Sequence, residues 1–372
     1  MDPREVLVVG AGPVGLSLGL RLAKLGRKVL VVDKKPALDE HSRAPAIWPR
    51  TQEVLAELGV MDAFLREGIK VPALELHDVD RGRVAFRAPI DQLANETEYP
   101  HLLVLPQPRT EALLLEALQR EPTAEVLFSH EVVEMTQFAH FVDVTMIGPE
   151  KKKKRLEAQV VVGCDGAHSI CRETIFTKFE GITYPIRAAL ADVRIGDSSD
   201  TPFPRFPSAP RIAIGIRIAE DLWRLILPYP ESESIPLDTR VRDAASRLFG
   251  DRPYEDVWQS EFQIHRKVSA HFSRRRIALA GDAAHLNSPV GGQGMNAGIQ
   301  DIVPLVKAIE LTLDFADPAH IDRYAHERQW QVKRGVNSFT DKLTRALLGD
   351  DGKNIRRAFA LATLATRIPP IR

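Results

Sequence analysis

The chain is short of cysteine: Cys164 and Cys171 are the only two in 372 residues. Two cysteines make no disulfide framework, and a C-x6-C pair with no neighbouring ligands is not a zinc signature, so no metal site is expected. The chain also lacks charge of either sign in excess, with 50 Lys and Arg against 50 Asp and Glu. Bulk electrostatics therefore offer nothing to nucleic acid or to an anionic membrane. Aromatic residues are only 6% of the chain, so no stripe of them marks out a ligand. The one apolar stretch of membrane-spanning length, Val6 to Leu25, is interrupted by Gly10, Gly12, Pro13 and Gly15 and reads as strand, turn and helix. A strand starting by Arg4 leaves no room for a signal peptide, and a reduced cytoplasm is the expected setting.

What is present begins with a complete βαβ unit. Glu5 to Val9 is an apolar β run. Gly10-Ala-Gly12-Pro13-Val14-Gly15 fits G-x-G-x-x-G, and Val14, Leu18, Leu22 and Leu25 follow at helical spacing. Gly26 stops the helix, Lys28 to Val32 is a second strand, and Asp33-Lys34 ends it. Glycines here allow a tight turn and close approach of a pyrophosphate, which the helix N-terminus stabilises, while an acid at the end of the second strand suits ribose hydroxyls. Further on, Thr51 is expected to cap a short helix ended by Gly59, and Thr110 and Glu111 to open another, with Gln107 just before it. Arg43 lies on a loop. By itself it is either a surface arginine or a cation delivered to a ligand.

The stretch 277–301 is the strongest single signal. Ile277 to Ala280 reads as a buried strand, and Gly281-Asp282 stands at its carboxyl end, where open α/β sheets bind ligands. Pro289, Gly291, Gly292 and Gly294 form a loop with almost no side chains, and a helix begins near Met295-Asn296. Its positive N-terminal end suits a ligand that becomes anionic, such as a reduced isoalloxazine ring. Val160 to Cys164 is a third buried strand, with Asp165 at its end expected to cap the helix from Ser169, to support a bound dinucleotide, or to do both.

Between these segments the pattern changes. Glu125 to Ile147 alternates like a β meander, and the cations Lys151 to Arg155 read as a solvated hairpin tip, with a localisation or membrane patch as the alternative. Antiparallel-like strands follow at 189–195, 211–217 and 222–228, with a Pro-rich loop at 202–210 and one short helix over Asp243 to Phe249. The fold expected is α/β. A dinucleotide-binding, Rossmann-like domain is assembled from 1–72, 101–182 and 261–320. A sheet domain from 73–100 and 183–260 is inserted into it, and a helical segment covers 321–372. A pocket belongs at the interface of the two domains. Residues 354–367 mix Ile355, Phe359 and Leu364 with arginines, as either a helix packed on the core or one lying at a membrane surface.

Three runs quoted above, Gly10 to Gly15, Cys164-Asp165-Gly166-Ala-His-Ser and Gly281-Asp282-Ala-Ala-His, resemble in order and spacing the signatures of single-component FAD-dependent aromatic hydroxylases, the para-hydroxybenzoate hydroxylase group. Pro289 through Asn296, Ser42-Arg43-Ala44, Gln107 and the tail Tyr324 to Arg328 match further family positions. The resemblance implies FAD, with adenosine on Gly10–Gly15 and Asp33, ribitol on Asp282, and the Met295–Asn296 backbone at the flavin's pyrimidine edge. It implies that Asp165 couples FAD to NADH or NADPH, and that Arg43, the catalytic candidate, contacts a moving flavin. The implied reaction adds O2 to reduced flavin and transfers one oxygen from a C4a-hydroperoxide to a phenolic, quinone-like or polycyclic aromatic. The alternative is a reductase of the same fold that saturates a prenyl or polyketide substrate without O2. Asp33 departs from the family's usual glutamate. Trp223 to Pro228 only faintly resembles a flavin halogenase run, since Leu225 replaces its second tryptophan.

Overall fold

A computed structural model describes residues 4–40, 44–196, 204–207 and 213–348. Arg43 and the segment 354–367 lie outside the described residues. The parallel sheet forms where apolar runs are continuous rather than alternating: Val6 to Val8, Val29, Val31 and Val160 to Val162 are all fully buried, as strands covered on both faces must be. Arg4–Val9 pairs in parallel with Val29–Val32 on one side and Lys153–Gly163 on the other. Lys153–Gly163 in turn pairs in parallel with Ile277–Leu279. The expected meander is only partly present. Ala124–Leu127 joins the parallel sheet beside Val29–Val32, because its four residues arrive by a helix, Gln107–Gln119, that crosses over the sheet. The antiparallel part is Glu131–Gln137, Val142–Ile147 and Lys153–Gly163; of the cations expected at a hairpin tip, Lys151 and Lys152 are exposed at the turn, whereas Lys153 to Arg155 are paired in the strand and Lys154 is half-buried against His130.

The second sheet is almost wholly antiparallel. It runs from His285–Leu286 through Tyr254–Ser269, Phe179–Ile195, Leu222–Pro230 and Ile214–Arg217 to Arg205–Phe206, Ala73–Asp78 and Arg83–Pro89. Arg205–Phe206 is a two-residue strand inside the stretch expected as loop. The strand Tyr254–Ser269 continues through position 260 and at its far end pairs with His285–Leu286, which directly follows the Gly281-Asp282 turn. One face of this sheet is covered by a helix, Leu237–Phe249, which starts six residues before the expected Asp243. Its first turn, Leu237-Asp238-Thr239-Arg240, is mostly polar and hides the helical period; Arg240 nevertheless pairs with Glu233 at 3.1 Å. Beneath it Trp223 is fully buried, edge-on to Phe249 at 5.1 Å.

A third, three-stranded sheet of Ala46–Ile47, Leu102–Val104 and Ile69–Val71 sits between the two large ones. Val71, Leu102 and Val104 pack there with Trp48, Ile216, Ile218 and Leu222, so the second sheet presents the face away from Leu237–Phe249 to the first domain. After the Gly281 turn come the helices Gly294–Phe315, Ala319–Arg334 and Val336–Leu348. No helix among the described residues is long and apolar enough to cross a membrane.

Candidate active site

The first glycine loop is shaped by close contacts. A Cβ at Gly10 would lie 2.3 Å from the Cys164 carbonyl oxygen, and one at Gly15 only 1.9 Å from that of Gly10. Gly10 also has φ +107°, which a side chain resists. Gly12 is different: a Cβ there would meet nothing within 4 Å. It opens the approach to the helix Pro13–Lys24, whose N-terminus has no side-chain cap. An uncapped N-terminus behind a bare loop is what a pyrophosphate requires. Asp33 fixes this loop from the next strand, accepting from Ala11 N at 2.8 Å and Lys35 N at 2.9 Å, with Lys34 exposed beside it.

Gln107 is the first residue of its helix rather than the residue before it. Pro106 and Pro108 set the start, and Thr110 lies in the first turn. Gln107 Nε2 donates to Glu111 Oε1 at 2.7 Å. Burial lifts the Glu111 carboxyl to about 7, against the lowering pull of Gln107 and Lys35 and with Asp39 and Asp33 adding to the rise. Near the third strand, Ser169 caps the helix Ile170–Thr174 by accepting from Arg172 N at 2.9 Å. Asp165 Oδ2 accepts from Cys171 N at 3.2 Å, so it supports the same turn one residue earlier. Burial raises its pKa, and hydrogen bonds from Ser169 and Cys171 only partly offset that.

Two buried side chains absent from the sequence-level candidates hold the second motif in place. Arg172 donates to the carbonyls of Ala283 at 3.0 Å and Ala167 at 2.6 Å, with its guanidinium 4.0 Å above the Phe179 ring. It thereby ties the Asp165 segment to the Gly281 turn. Asp301, fully buried, accepts from Gly281 N at 2.8 Å, His285 Nε2 at 2.8 Å and Arg328 Nε at 2.6 Å. Burial alone would raise its pKa, but His285, Arg328 and the Gly281 amide bring it down to about 2. With Gly281 held at φ +59°, the Asp282 side chain is exposed at the end of Ile277–Leu279.

The flavin-loop candidates converge on the same place. Cβ atoms at Gly281 and Gly298 would lie 3.0 and 2.6 Å from Val14 Cγ2, so the helix Gly294–Phe315 starts against the helix Pro13–Lys24. Its N-terminus is also uncapped, and Gly294 faces open space. Met295 is buried and Pro289 exposed at the rim. The Asn296 side chain is fully committed: Oδ1 accepts from Trp48 N at 2.9 Å, and Nδ2 donates to Ala46 O at 2.8 Å and Gly292 O at 2.7 Å. Only its backbone remains for a ligand. Trp48 Nε1 donates to Gly291 O at 3.1 Å. Thr51 does not cap its helix, which begins at Pro49; its hydroxyl accepts from Gln300 Nε2 at 3.0 Å.

The helix Val336–Leu348 closes the space between loop and second sheet. The hydroxyls of Thr344 and Ser288 pair at 2.5 Å, and a Cβ at Gly291 would touch Leu343 and Phe339. On its other side Asp341 accepts from Tyr184 OH and pairs with Arg266 at 3.2 Å. Burial, and then Asp341, push the Tyr184 hydroxyl up to about 12. A separate hollow of about 350 Å³, lined by Arg4, His140, Phe141 and Arg276 among others, lies at the amino ends of the parallel strands. Arg276 is satisfied there by the carbonyls of Ala139, Gln159 and Ala316, so that cation is structural.

Two glycine-opened, uncapped helix N-termini, side by side at the carboxyl ends of parallel strands, fit one ligand with a pyrophosphate and an electron-accepting ring. A family model described as an FAD binding domain matches residues 4–338. A para-nitrophenol 4-monooxygenase of Pseudomonas sp. strain WBC-3 is 29% identical over 337 residues, 87% of this chain and 82% of that one. A flavin-dependent monooxygenase of Mycobacteroides abscessus is 31% identical over 349 residues, 87% and 70% of the two chains. The crystal structure of p-nitrophenol 4-monooxygenase from Pseudomonas putida DLL-E4 superposes with a TM-score of 0.91 at 26% identity, covering 99% of this chain and 95% of that one. The chain belongs to the FAD-binding domain family, among the single-component FAD-dependent aromatic hydroxylases, and FAD is its cofactor.

Proposed function

We propose that the protein hydroxylates a phenolic, quinone-like or polycyclic aromatic substrate, with NADH or NADPH as reductant and O2 as co-substrate. Bound FAD, once reduced, supplies the activated oxygen. The chain's part is to bind, orient and exclude water. Gly10, Gly12, Pro13, Val14 and Gly15 hold the pyrophosphate at the first helix N-terminus. Asp33 and Lys34 serve the adenosine end and Gly281 and Asp282 the ribitol, Gln107 contacts the cofactor, and Asp165 couples FAD binding to that of NADH or NADPH. Pro289, Gly292, Gly294, Met295 and the Asn296 backbone line the ring, where the second helix N-terminus favours the anionic reduced form. Arg43 adds a cation that follows the ring. The segments 1–72, 101–182 and 261–320 carry the flavin, and the sheet of 73–100 and 183–260 carries the substrate.

The observation that carries this proposal is the helix Val336–Leu348, bonded to Ser288 beside the glycine loop at one edge and to Tyr184 and Arg266 of the second sheet at the other. A helix so placed would shield the space between a bound ring and the sheet, as oxygen transfer in competition with water requires. The names of the two relatives, both monooxygenases, point the same way. The test is a panel of phenols, quinones and polyketides scored for stimulated NAD(P)H consumption, O2 uptake and hydroxylated product. Stimulated consumption with a saturated product and no O2 uptake would establish the reductase alternative instead.

A further inference from the structure

The second sheet buries an ion pair on the face turned toward the flavin domain. Side chains alternate along Leu222–Pro230. Trp223, Leu225 and Leu227 pack under the helix Leu237–Phe249, whereas Leu222 packs with Trp48 and Val104 of the flavin side. Arg224 therefore points toward the flavin domain. It stands opposite Ile216 on one neighbouring strand and Asp192 on the other. Arg224 Nε donates to Asp192 Oδ1 and Nη2 to Asp192 Oδ2, both at 2.8 Å. The side chains are 2% and 8% exposed, and the Trp258 ring lies 5.7 Å from the guanidinium. On the same face Ile214, Ile226, Trp258 and Phe262 are half-buried, an apolar wall that is not packed shut.

One nitrogen of this guanidinium, Nη1, is buried without a hydrogen-bond partner among the described residues. A buried donor left unpaired is unfavourable, and it persists where a ligand supplies the acceptor. The geometry also restricts which acceptor. Asp192 already occupies the Nε–Nη2 fork, one of the two edges through which arginine grips a carboxylate in bidentate fashion, and its charge stands against a second carboxylate at the other. It also neutralises the charge. What remains at Nη1 is an NH2 group on a pair of zero net charge, with a carboxylate close behind it.

We propose that Arg224 is a specificity-determining residue that donates from Nη1 to one uncharged oxygen of the aromatic substrate, a ketone, quinone or nitro oxygen, and that Asp192 makes the same site reject a carboxylate. This rests on the hydroxylation proposed above. It goes further in naming the substrate class as neutral, acceptor-bearing aromatics. Such a site discriminates against an analogue lacking the acceptor more strongly than an apolar pocket does.

The test is binding of two near-isosteric probes, 4-hydroxyacetophenone and 4-hydroxybenzoate, followed by the change in flavin absorbance of the FAD-loaded protein. The wild type is expected to bind the ketone at least about ten-fold more tightly. Asp192→Asn frees the guanidinium charge, so the preference should narrow or invert, with the benzoate gaining affinity. A double variant, Arg224→Met with Asp192→Leu, removes both charges together and so avoids stranding one of them; it should retain FAD and lose the preference. A wild-type preference for the benzoate, no binding of either probe at millimolar concentration, or a ratio unmoved in both FAD-loaded variants would each overturn the assignment. Binding is read without turnover. A protein that shows the shift but forms no hydroxylated product keeps Arg224 in this role and loses the monooxygenase proposal. One that hydroxylates with an unmoved ratio does the reverse.

Discussion

Replacing Glu111 by glutamine should stabilise the flavin-free protein at pH 8 and leave it unchanged at pH 4. Glu111 is 6% exposed, takes a hydrogen bond from Gln107 and faces Asp33, Asp39 and Lys35. Burial raises its carboxyl from 4.5 to about 7. The folded state therefore holds this proton more tightly than the unfolded chain. The resulting stability is fully present below pH 4.5 and is lost as pH rises through about 7. The interval between 4.5 and about 7, at 1.36 kcal/mol per pKa unit, corresponds to about 3 kcal/mol as an upper bound. Glu111→Gln keeps an acceptor oxygen for Gln107 and cannot ionise, so above pH 7 it avoids this cost. Urea midpoints of wild type and variant between pH 4 and 8 measure the effect. The curves should meet at the acid end and diverge through neutrality with the variant the more stable. A difference that is constant with pH, or a variant less stable at pH 8, would refute the reasoning.

Asp301→Asn breaks an ion pair whose carboxylate is fully buried and leaves the half-buried Arg328 without its counter-charge, a loss of at most about 3–5 kcal/mol. The melting temperature and the FAD content of the purified variant should both fall, and a variant matching wild type in both would show that the network is dispensable. In the wild type the Asp301 contribution is present above pH 3.8 and is lost as pH falls toward about 2, so acid unfolding should be shallower in the variant. If Asp282 holds the ribitol as proposed, Asp282→Ala should weaken FAD binding by about 1.5–3 kcal/mol in a fluorescence titration, the usual size of a charge-assisted hydrogen bond. An unchanged affinity would count against that contact. Arg43→Ala should slow anaerobic reduction by NAD(P)H more than it weakens FAD binding, and a wild-type rate at saturating NAD(P)H and substrate would leave Arg43 as a surface residue.

The first βαβ unit was legible because every signal in it is local: two continuous apolar runs, a helical period between them, and glycines at the turns. The Gly281-Asp282 turn was legible for the same reason. Two helices start earlier than their side chains suggest, each beside a proline: one begins at Pro49 although Thr51 reads as its cap, and one at Gln107, before Pro108, although Thr110 and Glu111 read as opening it. Ala124–Leu127 was assigned to a meander because four alternating residues do not say which strand they will join. The Asp301 network was not legible at all. His285, Asp301 and Arg328 each stood within quoted motifs, but nothing in their spacing says that one carboxylate meets both partners. Arg224 and Asp192 lie 32 positions apart on neighbouring strands, and only the register brings them face to face.

The placement of Ile277–Leu279 has a consequence in time. Its partner strand ends at Gly163, and the chain from there to Ile277 includes most of the second sheet. As the protein is synthesised, the edge of Lys153–Gly163 that will receive Ile277–Leu279 waits with its N–H and C=O groups unpaired while more than a hundred residues follow. The loop of Gly10 to Gly15 and Asp33 is complete long before Gly281, Asp282 and the second glycine loop have left the ribosome. A nascent chain thus owns the first glycine cradle early and the second last, so the proposed FAD site is whole only once the sheet closes.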